Sequence, residues 1–206
     1  EKAAQTESRK NLANIRKGEY EGLQGKMEKP EWKPDFGSEF NPKSGALVTG
    51  ARNFLIAYNV NLNTKKVKPA QQIAEIIRTS GSPNNDEPGF FPAVKAIGWY
   101  IEEYDCAQVS MNLTNYHKTL PHQVFEKISE LARDRGMQVT GSEVIGLILK
   151  EPLIAAGEYY AAKNNLPANG TEAELIKIAT NNLGLNDVTE FIPEEKILEY
   201  KLEQFN

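Results

Sequence analysis

The sequence predicts an α+β fold of the ferredoxin-like kind, a split βαββαβ unit with one antiparallel-dominated sheet, two covering helices and additional C-terminal helices. Apolar residues recur at every second position in four segments and at helical spacing in two others. These segments follow one another as strand, helix, strand, strand, helix, strand, which is the order of the split β-α-β unit. With 206 residues, 40% of them hydrophobic, the chain is long enough to bury a core of its own.

The first strand and the first helix of this unit follow a proline-rich stretch. From Asn53 to Leu62 the even positions carry large apolar side chains, and the positions between them carry Leu55 and then small or polar ones, which is the period of a strand. Pro69 stands where the first turn of a helix tolerates proline, and an isoleucine stripe continues until Gly81. A loop rich in Gly, Pro and Asn then separates this helix from the next strand.

The second half of the unit is a hairpin followed by a helix and a last strand. Strands are predicted at Val94–Tyr104 and Ala107–Asn115, with Asp105 near the tight turn between them. Thr119 is the predicted N-cap of the following helix, which ends at Gly136. The remaining predicted elements are a strand at Gln138–Leu147 and helices at Pro152–Lys163, Glu172–Asn182 and Glu194–Tyr200.

The N-terminal quarter of the chain has a different character. A short helix is predicted from Glu7 to Lys17, and Gly18, Gly22 and Gly25 should break it. A connector with several prolines and aromatic residues follows through Pro42. Aromatic residues at this spacing indicate a segment held in a groove, while simple docking onto a neighbouring core remains an equal alternative.

Composition weighs against several classes of function. A net charge of −4 and a pI near 5.4 argue against a nucleic-acid partner, and no apolar run reaches the length of a membrane span. The single cysteine, Cys106, cannot form an internal disulfide, which indicates a cytoplasmic location. No zinc-ligand cluster, glycine-rich phosphate loop or Ser-His-Asp arrangement is recognisable, so we predict no metal site.

Neither of the two histidines is predicted to be catalytic. His117 follows the third strand, and His122 falls in the first turn of a helix, so a solvated or capping role is expected for each. A helix N-terminus disfavours a positive charge, and His122 should therefore favour its neutral form.

One pattern points to a ligand. In a ferredoxin-like sheet the first and third strands are adjacent and central, and alternation places Asn59, Gln108 and Asn112 on the face away from the helices. A solvated face usually carries Lys, Glu and Thr, whereas short amides have a low strand propensity. We therefore predict that these three amides face a ligand or a neighbouring subdomain.

Several runs of the sequence resemble one known family. They are GALVTGARNFLIAYNVNL (Gly45 to Leu62), AIGWYIEEYDCAQVSMNL (Ala96 to Leu113) and GSEVIGLI (Gly141 to Ile148). All three resemble the C-terminal subdomain of glutamate formimidoyltransferases. NIRKGEYEGL (Asn14 to Leu23) and ILEY (Ile197 to Tyr200) are similar too, and order and spacing agree from end to end.

The resemblance implies a function and a domain organisation. The family moves the formimino group of N-formimino-L-glutamate to tetrahydrofolate, the co-substrate, during histidine degradation. Its members have two ferredoxin-like subdomains with folate held between them and typically form homodimers. Residues 1–45 would then be the connector and the end of the N-terminal subdomain, and residues 46–206 the C-terminal subdomain. The family's catalytic His and its partner Asp belong to the missing N-terminal part, so no catalytic residue is expected in this chain.

The resemblance also implies a folate-contacting stretch, one residue shorter here than in the animal enzymes. It comprises Gly37, Ser38, Glu39, Phe40, Asn41, Pro42, Lys43, Ser44 and Gly45. Phe40 could wall a pteridine, and Lys43 or Arg52 could meet a carboxylate. The alternative is a stand-alone, non-catalytic module for folate binding or oligomerisation, which the reading frame upstream of Glu1 would distinguish.

Overall fold

The computed structural model describes residues 9, 12–37, 39–84, 86–166 and 170–205. The chain divides into two units, Glu1–Arg52 and Asn53–Asn206. The described part of the first unit contains the short helices α1 (Leu12–Arg16) and α2 (Leu23–Met27), followed by a 3₁₀ turn at Pro30–Trp32.

Lys26 holds the first unit together locally. Its ammonium group lies 4.0 Å from the centroid of the Trp32 ring, a distance at which a cation is attracted to the aromatic face. The last carbonyl oxygens of a helix lack partners within the helix. The ammonium group of Lys26 binds such carbonyl oxygens at the C-terminal end of α1. It donates to the carbonyl oxygens of Asn14, Ile15 and Lys17 over 2.5–2.9 Å.

The glycines of the first unit do not all break helices. Gly25 lies inside α2, so the prediction that it is a breaker is wrong. The chain turns after α1 at Gly18 and Glu19, which have φ angles of 90° and 49°. The predicted helix start at Glu7 lies outside the described residues.

The second unit is built on a four-stranded sheet. Its strand order is β2-β3-β1-β4, and every neighbouring pair is antiparallel. The first and third strands are therefore central, which confirms the predicted ferredoxin-like arrangement. The strands are β1 (Ile56–Leu62), β2 (Val94–Ile101), β3 (Cys106–Leu113) and β4 (Val139–Ile145).

Two helices cover one face of this sheet, and four more follow the last strand. The covering helices are α3 (Val67–Ile77) and α4 (Pro121–Arg133), and their apolar stripes join the core with the inward residues of the strands. The later helices are α5 (Lys150–Lys163), α6 (Glu172–Leu183), α7 (Pro193–Lys196) and α8 (Leu198–Glu203). No helix in the described part of the chain is both long enough and apolar enough to traverse a bilayer.

Gly98 shows which face of the sheet meets α3. A Cβ atom at Gly98 would lie 2.0 Å from the backbone nitrogen of Gln71, so only glycine fits at this approach. The amide nitrogen of Gly98 donates to Gln71 Oε1 over 2.9 Å, and the carbonyl oxygen of Val94 accepts from the amide nitrogen of Thr79 over 2.8 Å. Gly98 pairs with Val109, so Val109 also faces the helices.

Three local predictions need correction. Strand β1 begins at Ile56 rather than Asn53, and the side chain of Phe54 is 63% exposed. The N-cap of α4 is Leu120, because the hydroxyl of Thr119 donates instead to the carbonyl oxygen of Pro92 over 2.6 Å. The last predicted helix is two helices, separated at Ile197 by an extended residue that bridges to Ile148.

The C-terminal helices pack closely against each other. Helix α6 begins with a capping box formed by Thr171 and Glu174, and its C-cap is Gly184 with a φ of 63°. A Cβ atom at Gly157 in α5 would lie only 2.2 Å from the carbonyl oxygen of Leu175. Glycine at position 157 therefore sets the approach of α5 to α6.

Candidate functional site

The face of the sheet opposite α3 and α4 carries the predicted amides. Strand register pairs Asn59 with Ser110, and Asn61 with Gln108, across β1 and β3. Since Val109 faces the helices, the next residue, Gln108, points to the opposite face. Its cross-strand partner Asn61 points the same way. We call this surface the open face.

Gln108 is the centre of a hydrogen-bond network on the open face. Its Nε2 atom donates to Asn61 Oδ1 and to Glu143 Oε1, each over 2.7 Å. Its Oε1 atom accepts from the indole Nε1 of Trp99 over 2.8 Å. The side chain is fully buried, and these three bonds use both donors and one acceptor position of the amide. The orientation of the Gln108 amide is therefore fixed.

Glu143 extends the network towards Asn59 and Tyr104. Its Oε1 atom accepts from Asn59 Nδ2 over 3.1 Å, and its Oε2 atom accepts from the Tyr104 hydroxyl over 3.3 Å. Partial loss of hydration and then the charge of Glu143 raise the pKa of the Tyr104 phenol, so Tyr104 remains a donor at neutral pH. Asp187 closes the other end by accepting from Asn61 Nδ2 over 3.0 Å.

The predicted residues of the sheet lie on the expected face but differ in exposure. Asn59 is 5% exposed and Gln108 is 0% exposed, because neighbouring side chains of the network cover them. Glu143 bonds to both and so brings them together. Asn112 lies on the same face beside Ala57, is exposed and is outside the network. A ligand on this face could therefore contact Asn112 directly. Asn59 and Gln108 are covered by other side chains of the network, so a ligand would contact those side chains first.

Exposed apolar side chains surround the buried amides. Ile97, Trp99 and Ile145 are 54%, 42% and 50% exposed, respectively. Strand register places all three on the open face, since Ile97 pairs with Ser110 and Ile145 with Ala57. The open face thus combines flat apolar surface with oriented amides, which is the composition of many small-molecule sites.

Trp99, Tyr104 and Glu143 are absent from the predicted site residues. Trp99 pairs with Gln108 because β2 ends at Ile101, whereas the predicted strand to Tyr104 would have paired Trp99 with Asn112; alternation alone would still have placed Trp99 on the open face. Tyr104 belongs to the turn after β2, where strand alternation does not predict the direction of a side chain.

The predicted folate-contacting stretch lies in the first unit and forms a tight turn. Asn41 Oδ1 accepts from the backbone nitrogens of Lys43 and Ser44 over 2.8 and 3.2 Å. The backbone nitrogen of Gly45 donates to the carbonyl oxygen of Asn41 over 2.8 Å. A side chain that bonds its own backbone in this way stabilises a turn without any partner element.

Phe40 has an aromatic partner within the same unit. Its half-buried ring lies 5.7 Å from the Tyr20 ring, centroid to centroid, and the Tyr20 hydroxyl donates to the carbonyl oxygen of Pro42 over 2.5 Å. Glu39 and Lys43 are exposed, and Gly37 and Gly45 have φ angles of 71° and 64°. Ser38 lies outside the described residues, and the role of the stretch in folate binding stays a prediction.

The two histidines lie in different environments. The side chain of His117 is 58% exposed, with its Nδ1 atom 3.7 Å from Glu151 Oε1, in agreement with the predicted solvated position. His122 is buried, so the prediction of a solvated or capping role is wrong for it. Burial lowers the pKa of His122, against an opposing effect of Glu126. The neutral form is favoured as predicted, but mainly through burial rather than the helix terminus.

No metal centre is apparent in the parts of the chain that the structure describes. Within them, no group of three or more His, Cys, Asp or Glu side chains is placed to hold a metal ion.

Comparison with protein families gives two matches on this chain. A model described as "Formiminotransferase domain" matches residues 57–203. A second model, "Formiminotransferase domain, N-terminal subdomain", matches residues 1–52. The two matches do not overlap, and together they cover nearly all of the chain.

Curated relatives carry related names. The chain is 47% identical over 206 residues to a formimidoyltransferase-cyclodeaminase of Dictyostelium discoideum, covering 99% of this chain and 38% of the relative. It is 46% identical over 199 residues to the protein of that name from Gallus gallus, covering 96% and 36%. A glutamate formimidoyltransferase of Streptococcus pyogenes serotype M1 is 43% identical over 161 residues, covering 78% and 52%. The chain therefore spans between about a third and a half of the length of these relatives.

Proposed function

The chain belongs to the formiminotransferase domain family, and from this premise we propose that it is a portion of a glutamate formimidoyltransferase. The proposed reaction moves the formimino group of N-formimino-L-glutamate to tetrahydrofolate during histidine degradation. The observation that carries the proposal is the match of two family models to consecutive parts of this chain. A cytoplasmic homodimer, completed by the rest of the N-terminal subdomain, belongs to the same proposal.

The open face is proposed as part of the folate-binding surface. A pteridine is flat and carries hydrogen-bond donors and acceptors on its edges, so it needs apolar walls and a few oriented polar groups. Trp99, Ile97 and Ile145 supply exposed apolar surface, and Asn112 supplies an exposed amide. Trp99 donates to Gln108, so the indole is already oriented before a ligand arrives. Such preorganisation lowers the entropy cost of binding.

The turn at residues 37–45 of the first unit is proposed as a folate-contacting segment in its own right. Asn41 fixes the backbone of the turn, and this leaves the side chain of Lys43 exposed. An exposed ammonium group suits the glutamate carboxylates of folate. The ring of Phe40 packs against Tyr20 on one side, so it can offer only its remaining surface to a pteridine.

Titration with tetrahydrofolate tests the open face directly. We expect saturable shifts of the Trp99 indole and Asn112 amide signals in two-dimensional ¹H–¹⁵N spectra of the chain, recorded anaerobically at up to millimolar ligand. The Gln71 side-chain amide is the matched control, because it bonds to Glu75 and Gly98 on the helix side of β2. Equal shifts at Gln71 and Trp99, or none at Trp99, would count against a folate site on this face.

The chain alone is expected not to catalyse formimino transfer. A folate amine must attack the formimino carbon, and the tetrahedral intermediate must then expel the glutamate amine. Both steps move a proton, and a positioned group that titrates near neutrality typically contributes about 10²–10⁴-fold in rate. His122 is buried in the second unit, and His117 lies on its surface beside Glu151. Neither belongs to a strand of the sheet.

The assay incubates purified chain with tetrahydrofolate and formiminoglutamate and follows formation of the formimino-folate product. Turnover that persists after removal of host enzyme, and disappears on replacing His117 or His122, would contradict the assignment of the chemistry to the N-terminal part.

A further inference from the structure

The contact between α4 and α5 contains a buried ring nitrogen without a hydrogen-bond partner among the described residues. It is Nδ1 of His122, whose residue is 7% exposed. The His122 ring stacks on the Tyr159 ring, with centroids 4.6 Å apart and planes at 18°, and meets Tyr160 edge-on at 6.5 Å. Unpartnered buried polar atoms are uncommon in folded proteins, so Nδ1 of His122 requires an explanation.

The charged groups around His122 do little to favour its protonation. Glu126, one turn further along α4, is the charge that acts on its titration, and this carboxylate is already paired with Lys163 of α5 over 2.5 Å. The ammonium group of Lys163 also lies 5.7 Å from the ring centroids of both tyrosines of α5. Strand β1 contributes Tyr58, whose hydroxyl donates to Ser142 instead. The carboxylate that acts on His122 is therefore already shared with Lys163.

We propose that His122 is an acid-sensitive element of the fold, because the contact between α4 and α5 accommodates the neutral imidazole and is loosened by its protonation. Protonation makes both ring nitrogens donors, and the buried Nδ1–H would have no acceptor. It also places a positive charge beside the rings of Tyr159 and Tyr160 at a position largely removed from water. This inference is independent of the proposed reaction.

The direction of the effect follows from proton linkage. Burial lowers the pKa of His122 from its ordinary 6.5, so below about pH 6.5 the unfolded chain binds more protons than the folded one. Stability therefore decreases as the pH falls through 6.5 and stops decreasing once the pH is below the folded-state pKa. Between pH 7.5 and 5.5, one such group raises the unfolding equilibrium constant by at most about tenfold.

Urea unfolding of the 206-residue chain at pH 7.5 and 5.5 tests the proposal. The chain has two histidines, so His117→Gln is a matched control for His122→Phe, which keeps an aromatic ring beside Tyr159. We expect wild type and His117→Gln to show a several-fold rise in the unfolding constant on acidification. His122→Phe should lose most of that rise. An unchanged rise in His122→Phe would overturn the proposal.

A second measurement needs no variant at His122. The two imidazole Cε1–H signals of the folded wild-type chain are followed by NMR against pH, and His117→Gln assigns them. The proposal requires a midpoint for His122 below 6.5, the ordinary value. A midpoint at or above 6.5 would show that the contact tolerates the imidazolium form and would also overturn it.

Discussion

Gly157→Ala is expected to destabilise the second unit by about 3 kcal/mol. The new methyl group would lie 2.2 Å from the carbonyl oxygen of Leu175 and 2.9 Å from its Cα atom, and both are backbone atoms of α6. Helix α6 can retreat only by displacing the buried side chains of Leu175 and Ile176. The alanine would otherwise favour the helix by about 1 kcal/mol, so the clash must exceed that gain.

Urea unfolding at neutral pH measures this effect, with Glu158→Ala as the neighbouring control. Glu158 is exposed on the same helix, and its replacement should change the free energy of unfolding by less than about 0.5 kcal/mol. A Gly157→Ala protein within 1 kcal/mol of wild type would mean that α5 and α6 do not approach as closely as described.

Gln108→Leu is expected to destabilise the chain by about 2–4 kcal/mol, although leucine has a similar volume. The change removes three hydrogen bonds at once and leaves Glu143 with one donor fewer and Trp99 without its acceptor. When the central side chain of a buried network is removed, each neighbouring polar group stays buried without its hydrogen bond, which destabilises the folded state. Unfolding monitored by tryptophan fluorescence and by far-UV circular dichroism measures the loss.

Asn112→Leu provides the matched control, because it makes the same kind of change on the same strand and face at an exposed position. Its effect should stay below about 1 kcal/mol. In a Gln108→Leu background, adding Glu143→Gln should recover part of the loss, because the under-solvated charge is then gone. If Gln108→Leu and Asn112→Leu cost the same, the network does not stabilise the fold.

The sheet was the most predictable part of the molecule, for a physical reason. Alternation with period two assigns a face to every strand residue, so Asn59, Gln108 and Asn112 could be placed opposite the helices from the sequence alone. The burial of Asn59 and Gln108 could not, because Tyr104 and Asp187 reach the network from segments outside the strands. The alternation within a strand predicts the direction of each side chain but not which side chains from other segments cover it.

Local rules failed where a distant partner competes for the same group. Thr119 has the side chain of an N-cap, but its hydroxyl bonds to Pro92, 27 residues earlier in the chain. Ile197 continues a helical pattern, but its backbone bridges to Ile148 and splits the helix. His122 was expected at a wet helix end, whereas Tyr159 and Tyr160 bury it. Each error reflects a tertiary contact that overrides a local preference.

The bonds that α3 and the segment after it make to β2 have a consequence for self-association. Outermost strands with unpaired amides and carbonyls recruit strands from other molecules, which leads to sheet extension or aggregation. In β2 the outward amide of Gly98 is already bonded to Gln71, and the outward carbonyls of Val94 and Ala96 are bonded to Thr79 and Arg78. A strand from a second copy of the chain would have to displace these bonds before it could pair with β2 at Val94, Ala96 and Gly98.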